Sequence, residues 1–273
     1  MKSNQLQHLL FCCSLAVFSH YSFGQAVAEK KLQGGITASV GGNFLKMGTS
    51  FLEADPGLST SVGINFLKAA KESQNIAFIG GLEFNLERFN YKVTGTNVFY
   101  RFTDQEIKIQ KETVSTDQYY RLIERTYKPL YLGLPIGMAF RTDFIGDYRG
   151  VVKFGIQNRF LLSNTVDDKG FTSTNLNDIN TINDYRLNTA MSVKKDLFFY
   201  NAGLFISLGA EWNFTGSTCL LAELGYQYGF MPLHLTSNED NYTLFTQGPD
   251  ANPVYFRNKA TMNQANLKLT LLF

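Results

Sequence analysis

The chain has 273 residues, of which 44% are hydrophobic, 14% aromatic and 18% charged, and its formal net charge is +2. A mean hydropathy of -0.12 is too low for a protein built from membrane-spanning helices, and the near-neutral charge argues against nucleic-acid binding, which needs a basic patch or stripe. Twenty-three glycines and only six prolines are typical of a β-rich fold with tight turns.

The first residues have the pattern of an export signal. Lys2 is followed by the apolar run Leu9–Phe18 (LLFCCSLAVF), and small residues stand just before Gln25, as at a signal-peptidase site. A membrane-spanning helix, the alternative, would need about 20 apolar residues. We therefore predict a signal peptide over residues 1–24 and a mature domain over residues 25–273.

Cysteine and histidine are scarce in the predicted mature chain. Cys12 and Cys13 lie inside the apolar run and not after a small-residue site, which argues against a lipoprotein anchor. Removal of the signal leaves Cys219 and His234 as the only residues of their types. A lone cysteine in an exported chain excludes an internal disulfide.

From Ile36 onward the dominant pattern alternates apolar and polar residues, which predicts β-strands. The mean strand of a soluble protein has about 5–6 residues, whereas a strand that crosses a bilayer needs roughly 9–11. Most of the alternating segments are of the longer kind. There are eight of them, at residues 36–44, 58–66, 78–86, 130–140, 152–162, 204–214, 220–228 and 267–273.

The connections between these segments alternate in length. Short links follow the second, fourth and sixth segments, and long polar links at residues 91–126, 164–195 and 231–262 follow the third, fifth and seventh. Outer-membrane barrels have short periplasmic turns and longer outer loops, and an even strand number lets the sheet close. The predicted fold class is all-β: an eight-stranded antiparallel transmembrane β-barrel of the outer-membrane type.

Charged residues within the segments lie on one face only, while the opposite face is free of charge. A lysine or arginine on a lipid-facing position at mid-membrane would cost roughly 2–4 kcal/mol, so the charged face is predicted to line the lumen. From depth along neighbouring segments we expect Lys153 to pair with Glu211 and Glu223 with Lys268. The predicted lumen-facing charges are Glu83, Glu87, Lys153, Arg159, Glu211, Glu223 and Lys268.

Aromatic residues near the segment ends fit the two interfacial girdles of such barrels, although aromatic residues also favour strands in general. The set consists of Tyr127, Tyr131, Phe140, Trp212, Phe214, Tyr228 and Phe230.

The last segment alternates Leu267, Leu269, Leu271 and Phe273, and it resembles the C-terminal signal that the assembly machinery of bacterial outer-membrane barrels reads. Two further stretches, YLGLPIGMAF at Tyr131–Phe140 and AELGYQYGF at Ala222–Phe230, resemble strands of the PorT-like outer-membrane β-barrel family. The resemblance covers roughly residues 34–273. It implies a role in protein secretion or outer-membrane assembly.

No catalytic, cofactor or metal site is assigned. His234 lies close to Ser237, and a Ser–His pair would suit a lipid-modifying enzyme, but nothing in the sequence supplies an orienting third group. The oxygen-rich stretches at residues 165–170 (TVDDKG) and 237–242 (SNEDNY) lack the spacing of a calcium loop. Cys219 is interpreted as a small packing residue.

An eight-stranded barrel has an interior that side chains just fill, which disfavours a wide pore. We therefore predict a non-enzymatic structural or interaction protein of the outer membrane that acts through its long outer loops. Its expected partners are outer-membrane lipid, the barrel-assembly machinery and another envelope protein, and no nucleic acid. The alternatives are an outer-membrane lipid-modifying enzyme and a narrow channel.

Overall fold

A computed structural model describes residues 32–71, 73, 75–112, 117–173, 185–193, 196–215, 218–234, 238–248 and 252–273. The predicted signal peptide lies outside these residues. The described part forms a single sheet of thirteen strands, with one 3-10 turn at Glu239–Asn241. It contains no helix long and apolar enough to cross a membrane.

Eight strands pair with one another in a closed cycle, and each pairing is antiparallel. We call this set the ring. In cyclic order it contains β1 (Leu32–Met47), β2 (Leu52–Ala69), β3 (Ile76–Val93), β6 (Gln118–Arg141), β7 (Tyr148–Ser173), β9 (Tyr200–Thr215), β10 (Thr218–Gly229) and β13 (Ala260–Leu272).

The ring closes where β13 returns to β1. Gly35 lies opposite Leu272, and the pairing continues without a gap to Met47 and Ala260. Beyond it, the Phe273 N–H donates to the Gly34 carbonyl at 2.9 Å, and the Gly34 N–H donates to the Phe273 carbonyl at 3.2 Å. Because the first and last strands pair, neither is left with an open edge.

The other five strands belong to the long connections. They are β4 (Val98–Thr103), β5 (Glu106–Ile107), β8 (Tyr185–Val193), β11 (Phe245–Gln247) and β12 (Pro253–Tyr255). Together with the ends of β3, β6 and β7 that continue past the ring, they form what we call the extension.

Seven of the eight predicted segments lie within one ring strand each, and the eighth ends at Phe273, one residue beyond β13. The total of thirteen strands exceeds the predicted eight. The long connections are also shorter than expected, since β3 continues to Val93 and β6 already begins at Gln118. The difference arises in part because β4 pairs with the end of β6 above the ring, and β11 pairs in turn with β4. Such pairings depend on contacts between distant segments and leave no local periodic signal.

Burial in the ring is inverted relative to a soluble protein. Large apolar side chains such as Val62, Ile206 and Leu269 are exposed, while polar side chains on the alternate positions, such as Thr37 and Glu211, are fully buried. Side chains alternate between the two faces of a strand, so one face of the ring is apolar and faces outward, and the other is polar and faces inward.

This inversion ends at one level of the ring. On β3 the inward row changes from Glu87 to Phe89, and the outward row changes from the exposed Leu86 to the exposed Arg88. On β1 the outward row likewise changes from Phe44 to Lys46. Beyond that level the extension has an ordinary apolar core.

Apolar clusters cover both ends of the polar interior. At the end with short turns, the cluster contains Leu67, Ala77, Ala139, Val151, Cys219, Leu221 and Leu272. At the end with long connections, a larger cluster includes Phe89, Tyr91, Tyr100, Phe102, Tyr120, Tyr127 and Leu244. The polar interior therefore lies between two apolar layers.

Candidate functional site

The seven predicted lumen-facing charges converge in the interior of the ring. Six of them are at most 5% exposed, and the Lys268 side chain is 19% exposed. They are Glu83, Glu87, Lys153, Arg159, Glu211, Glu223 and Lys268. We call this set, with its hydrogen-bond partners, the interior cluster.

The predicted pairing of these charges is wrong. Lys153 Nζ binds Glu223 Oε2 at 2.7 Å, not Glu211, and Lys268 Nζ binds Glu83 Oε1 at 2.8 Å, although Glu223 lies directly opposite Lys268 in the strand register. Glu211 instead forms a two-bond contact with Arg149 at 2.8 and 2.6 Å.

The two lysine pairs join strands that are not neighbours in the ring. Lys153 and Glu223 lie on β7 and β10, which are separated by β9, and Lys268 and Glu83 lie on β13 and β3. These long side chains therefore reach across the interior. Such crossing contacts fit a narrow lumen that side chains fill.

A second crossing contact occupies the level above. Arg159 Nη1 lies 3.7 Å from Glu87 Oε1, and Arg159 Nη2 donates to Gln264 at 2.6 Å and also to Gln227. Asn43 donates to the other oxygen of Glu87 at 2.5 Å. These bonds join β1, β3, β7, β10 and β13, so a single guanidinium helps to fix five strands.

A small cavity remains between the two levels. Its volume is about 60 Å³, and all eight ring strands contribute to its lining. One water needs roughly 10–15 Å³ of such volume, so the cavity has space for several waters. Asn65 Oδ1 and Arg159 Nε are buried near it without a hydrogen-bond partner among the described residues.

In the extension, His234 forms a buried polar node that the sequence did not reveal. His234 Nδ1 contacts Asp196 Oδ1 at 2.9 Å, His234 Nε2 contacts the Tyr91 hydroxyl at 2.8 Å, and the Tyr127 hydroxyl donates to Asp196 Oδ2 at 2.6 Å. With the proton on Nδ1, the imidazole donates to Asp196 and accepts from Tyr91. We call these four residues the histidine node.

The histidine node connects two long connections to two ring strands. Asp196 precedes β9 and His234 follows β10, while Tyr91 and Tyr127 belong to β3 and β6. Burial alone would raise the pKa of Asp196, but the adjacent His234, its hydrogen bond and Arg125 hold that pKa below its usual value of 3.8. Burial, reinforced by Tyr127 and Asp196, raises the pKa of Tyr91 well above 10.0.

Next to the histidine node lies a fully buried ion pair. Arg125 Nε and Nη2 donate to the two oxygens of Asp168, each at 2.8 Å, and both side chains have no exposed surface. The guanidinium also lies 4.9 Å from the centre of the Tyr100 ring. Asp168 belongs to the oxygen-rich stretch 165–170 that was considered as a calcium loop. Its carboxylate is bound to arginine instead.

The remaining sequence candidates show no further chemistry. Ser237 lies outside the described residues. Asp167 pairs with Lys128, and Glu239 and Asp240 begin the 3-10 turn that Asn238 caps. The described residues contain no group of three or more side chains that could hold a metal ion, and the Cys219 thiol is buried.

Two of the predicted girdle residues lie inside the molecule. Tyr127 and Tyr131 are at most 1% exposed, whereas Phe140, Tyr228 and Phe230 are exposed on the apolar outer face. Odd-numbered positions in this part of β6 face the interior, so Tyr127 and Tyr131 lie on the face opposite to Leu130 and Phe140. The C-terminal set Leu267, Leu269, Leu271 and Phe273 is also exposed on the outer face.

No protein-family model matches the chain, and no curated protein gives a significant match. The resemblance to the PorT-like family therefore stays a prediction. Among solved structures, Ail, the attachment invasion locus protein of Yersinia pestis, is 10% identical with a TM-score of 0.36, and the alignment covers 89% of this chain and 100% of that one.

The outer membrane protein OprG of Pseudomonas aeruginosa is 12% identical, with a TM-score of 0.35 and coverage of 88% of this chain and 92% of that one. The outer membrane protease OmpT of Escherichia coli is 9% identical, with a TM-score of 0.29 and coverage of 93% and 98%. Because these scores are low, no activity or partner is transferred from these proteins to the chain.

Proposed function

We propose that the chain is an integral outer-membrane protein whose ring is an eight-stranded transmembrane β-barrel. The observation that carries this proposal is the inverted burial of the ring, with apolar side chains exposed all around and charges enclosed. Water would disfavour so large an apolar surface, since contiguous exposed apolar patches on soluble monomers rarely exceed a few hundred Å². Hydrocarbon chains would cover it at no such cost.

The level at which the inversion ends marks the proposed outer edge of the bilayer. Lys46, Arg88 and Lys128 are exposed there, one step beyond the apolar residues of β1, β3 and β6. Charged residues at this level reach the head groups and water. The short turns then lie on the periplasmic side, and the extension lies outside the cell.

The test is the behaviour of the mature chain in and out of detergent. We expect a folded, monodisperse protein in detergent, with an electrophoretic mobility that changes on heating, and aggregation when the detergent is removed. A chain that stays folded and monodisperse in plain buffer would contradict the barrel.

Within this class, we propose a structural or interaction role for the extension instead of transport. The lysines and Arg159 of the interior cluster meet glutamates across the lumen, and apolar clusters cover both ends of it in the described part of the chain. A conducting path would need water along its whole length. We therefore expect no single-channel conductance in planar bilayers, and a reproducible conductance would favour the narrow channel.

The histidine node supports a non-enzymatic role. Asp196 orients His234 as it would in a catalytic group, but the hydroxyl that His234 contacts belongs to Tyr91, which has no exposed surface. A nucleophile must reach its substrate. The node therefore holds the extension together.

The measurement for the alternative is lipid A composition in cells that produce the His234→Ala variant. We expect it to match that of the wild type, with a protein that remains in the outer membrane. Loss of a lipid A modification in the variant alone would favour a lipid-modifying enzyme.

The resemblance to the PorT-like family is the support for a role in envelope assembly or protein secretion. The partners would be the barrel-assembly machinery, acting on the C-terminal strand, and another envelope protein that contacts the extension. Affinity capture of the intact protein from solubilised membranes tests this. We expect recovery of an envelope component that is lost when the β4–β5 segment is deleted.

A further inference from the structure

One seam of the ring lacks part of its hydrogen bonding. Along β3 and β6, Gly80 pairs with Ile136, Glu83 with Gly133, Leu86 with Leu130 and Phe89 with Tyr127, all in one constant register. Among these described residues no pairing occurs at Gly81–Leu82 or at Glu87–Arg88. No residue is inserted, so the interruptions are not bulges.

Both interruptions coincide with proline. In the constant register, Gly81 lies opposite Pro135 and Glu87 lies opposite Pro129. Proline has no N–H, and within a sheet it removes a ladder hydrogen bond. The β1–β13 seam, in contrast, pairs every residue over Gly35–Met47.

Small residues weaken the same seam on its inner side. Gly81 and Gly133 face the interior, where a Cβ atom on Gly133 would lie 2.4 Å from Asn85 Nδ2. The glycines carry no side chain that could pack across the seam. The amide side chains of Asn65, Asn85 and Gln157 cover the inner side of the seam instead.

The interior cavity lies directly behind this seam. Asn65, Asn85, Pro135 and Gln157 all line it, and the apolar clusters cover both ends of the ring. The side wall at β3–β6 is therefore the weakest boundary between the cavity and its surroundings.

We propose that the wall opens laterally between β3 and β6 and admits the polar head of a membrane amphiphile into the cavity, while its tail stays in the bilayer. This rests on the proposed transmembrane barrel. The head group carries no net charge, because the three cations Lys153, Arg159 and Lys268 already face the three anions Glu83, Glu87 and Glu223. The unpartnered Asn65 Oδ1 and Arg159 Nε supply one acceptor and one donor for it.

The test uses folded protein reconstituted into phospholipid vesicles and a long-chain N-alkylmaleimide dissolved in the bilayer. In a Cys219→Ala background, Asn85→Cys places a thiol on the inner face beside the interrupted seam. Ser39→Cys is the matched control, since it faces the interior from β1, whose seams with β2 and β13 are fully paired at that level. Val62→Cys, which faces lipid, sets the fastest rate.

We expect the Asn85→Cys thiol to react clearly faster than the Ser39→Cys thiol. Pro129→Ala and Pro135→Ala restore the missing donors and should slow the reaction about fivefold for each hydrogen bond regained. If Asn85→Cys does not fold, Gln157→Cys, which lies opposite Pro135 on β7, takes its place.

Equal rates at the two inner positions would overturn the proposal, as would rates that the alanine substitutions leave unchanged. So would faster labelling by a charged, water-soluble maleimide, because the cavity would then be reached from an aqueous end. In each of these results the protein still aggregates when detergent is removed. Failure of the barrel proposal is distinct, since the chain would then stay folded and monodisperse in plain buffer.

Discussion

The ring and the extension bury opposite kinds of residue, although the same strands run through both. On β3 the inward positions are Glu83, Asn85 and Glu87 in the ring and Phe89 and Tyr91 in the extension. The alternation of inward and outward side chains along β3 continues through this point, whereas the proposed surroundings change. Where lipid covers the outside the polar residues lie inside, and where water covers it the apolar residues do.

The two regions also differ in how their buried charges are held. In the ring, lysines and glutamates pair across the interior, and in the extension Arg125 and Asp168 pair side by side within an aromatic core. A buried pair whose geometry is good is neutral to mildly favourable, but loss of one partner is strongly unfavourable. Both regions should therefore be sensitive to single substitutions and tolerant of matched double ones.

The largest effect is expected inside the ring. Lys153→Met leaves Glu223 buried without its cation and should lower the free energy of unfolding by about 3–5 kcal/mol. The double variant Lys153→Met with Glu223→Leu should recover most of that loss, because no uncompensated charge remains. Urea titration of the protein in detergent micelles measures both.

The control for this pair lies on the surface of the extension. Lys169 contacts Glu124 at 2.9 Å with half of its side chain exposed, so Lys169→Met should change stability by about 1 kcal/mol or less. Equal losses for Lys153→Met and Lys169→Met would mean that the ring interior is as wet as the outer surface.

A second prediction compares two equally exposed apolar residues. Val62 is 51% exposed in the ring, and Leu187 is 55% exposed in the extension. Val62→Arg should destabilise the protein by roughly 2–4 kcal/mol, as lipid-facing arginine does at mid-membrane. Leu187→Arg, which faces water, should stay within about 0.5 kcal/mol. Similar values for the two would place both residues in the same solvent.

The smallest effect is expected on lowering the pH, and it should arise in the histidine node. Because the pKa of Asp196 is lower in the folded protein than in the unfolded chain, its ionised form stabilises the extension above the unfolded value. That contribution is lost as the pH falls through the folded pKa. The extension should therefore loosen below about pH 4.

Limited pepsin digestion at a series of acidic pH values detects this loosening. The Asp196→Asn variant is the control and should show cleavage in the extension that no longer increases over this interval. Identical profiles for the variant and the wild type would rule out Asp196 as the group responsible.

The sequence predicted the ring well because period-two alternation is a local signal. All eight segments, their short turns and the inward row of charges follow from residues that are neighbours along the chain. The ion pairs were mispredicted because strand register identifies residues side by side, whereas Lys153 and Lys268 reach across the interior to strands two or more positions away.

The extension was largely missed for a related reason. β4, β5, β8, β11 and β12 have between two and nine residues, and their pairing depends on distant partners. The histidine node unites residues 91, 127, 196 and 234, none of which stands in a motif with another. A single buried histidine on a polar loop gives no sequence signal of the carboxylate that it meets.

The union of β1 with β13 has a consequence for biogenesis. β1 is synthesised first, and its outer edge pairs with β13, which is synthesised last, more than two hundred residues later. Contacts between such remote parts of a chain form slowly. Until they form, the outer edges of β1 and β13 have unpaired backbone N–H and C=O groups. Closure of the ring should accordingly be a single late step of folding.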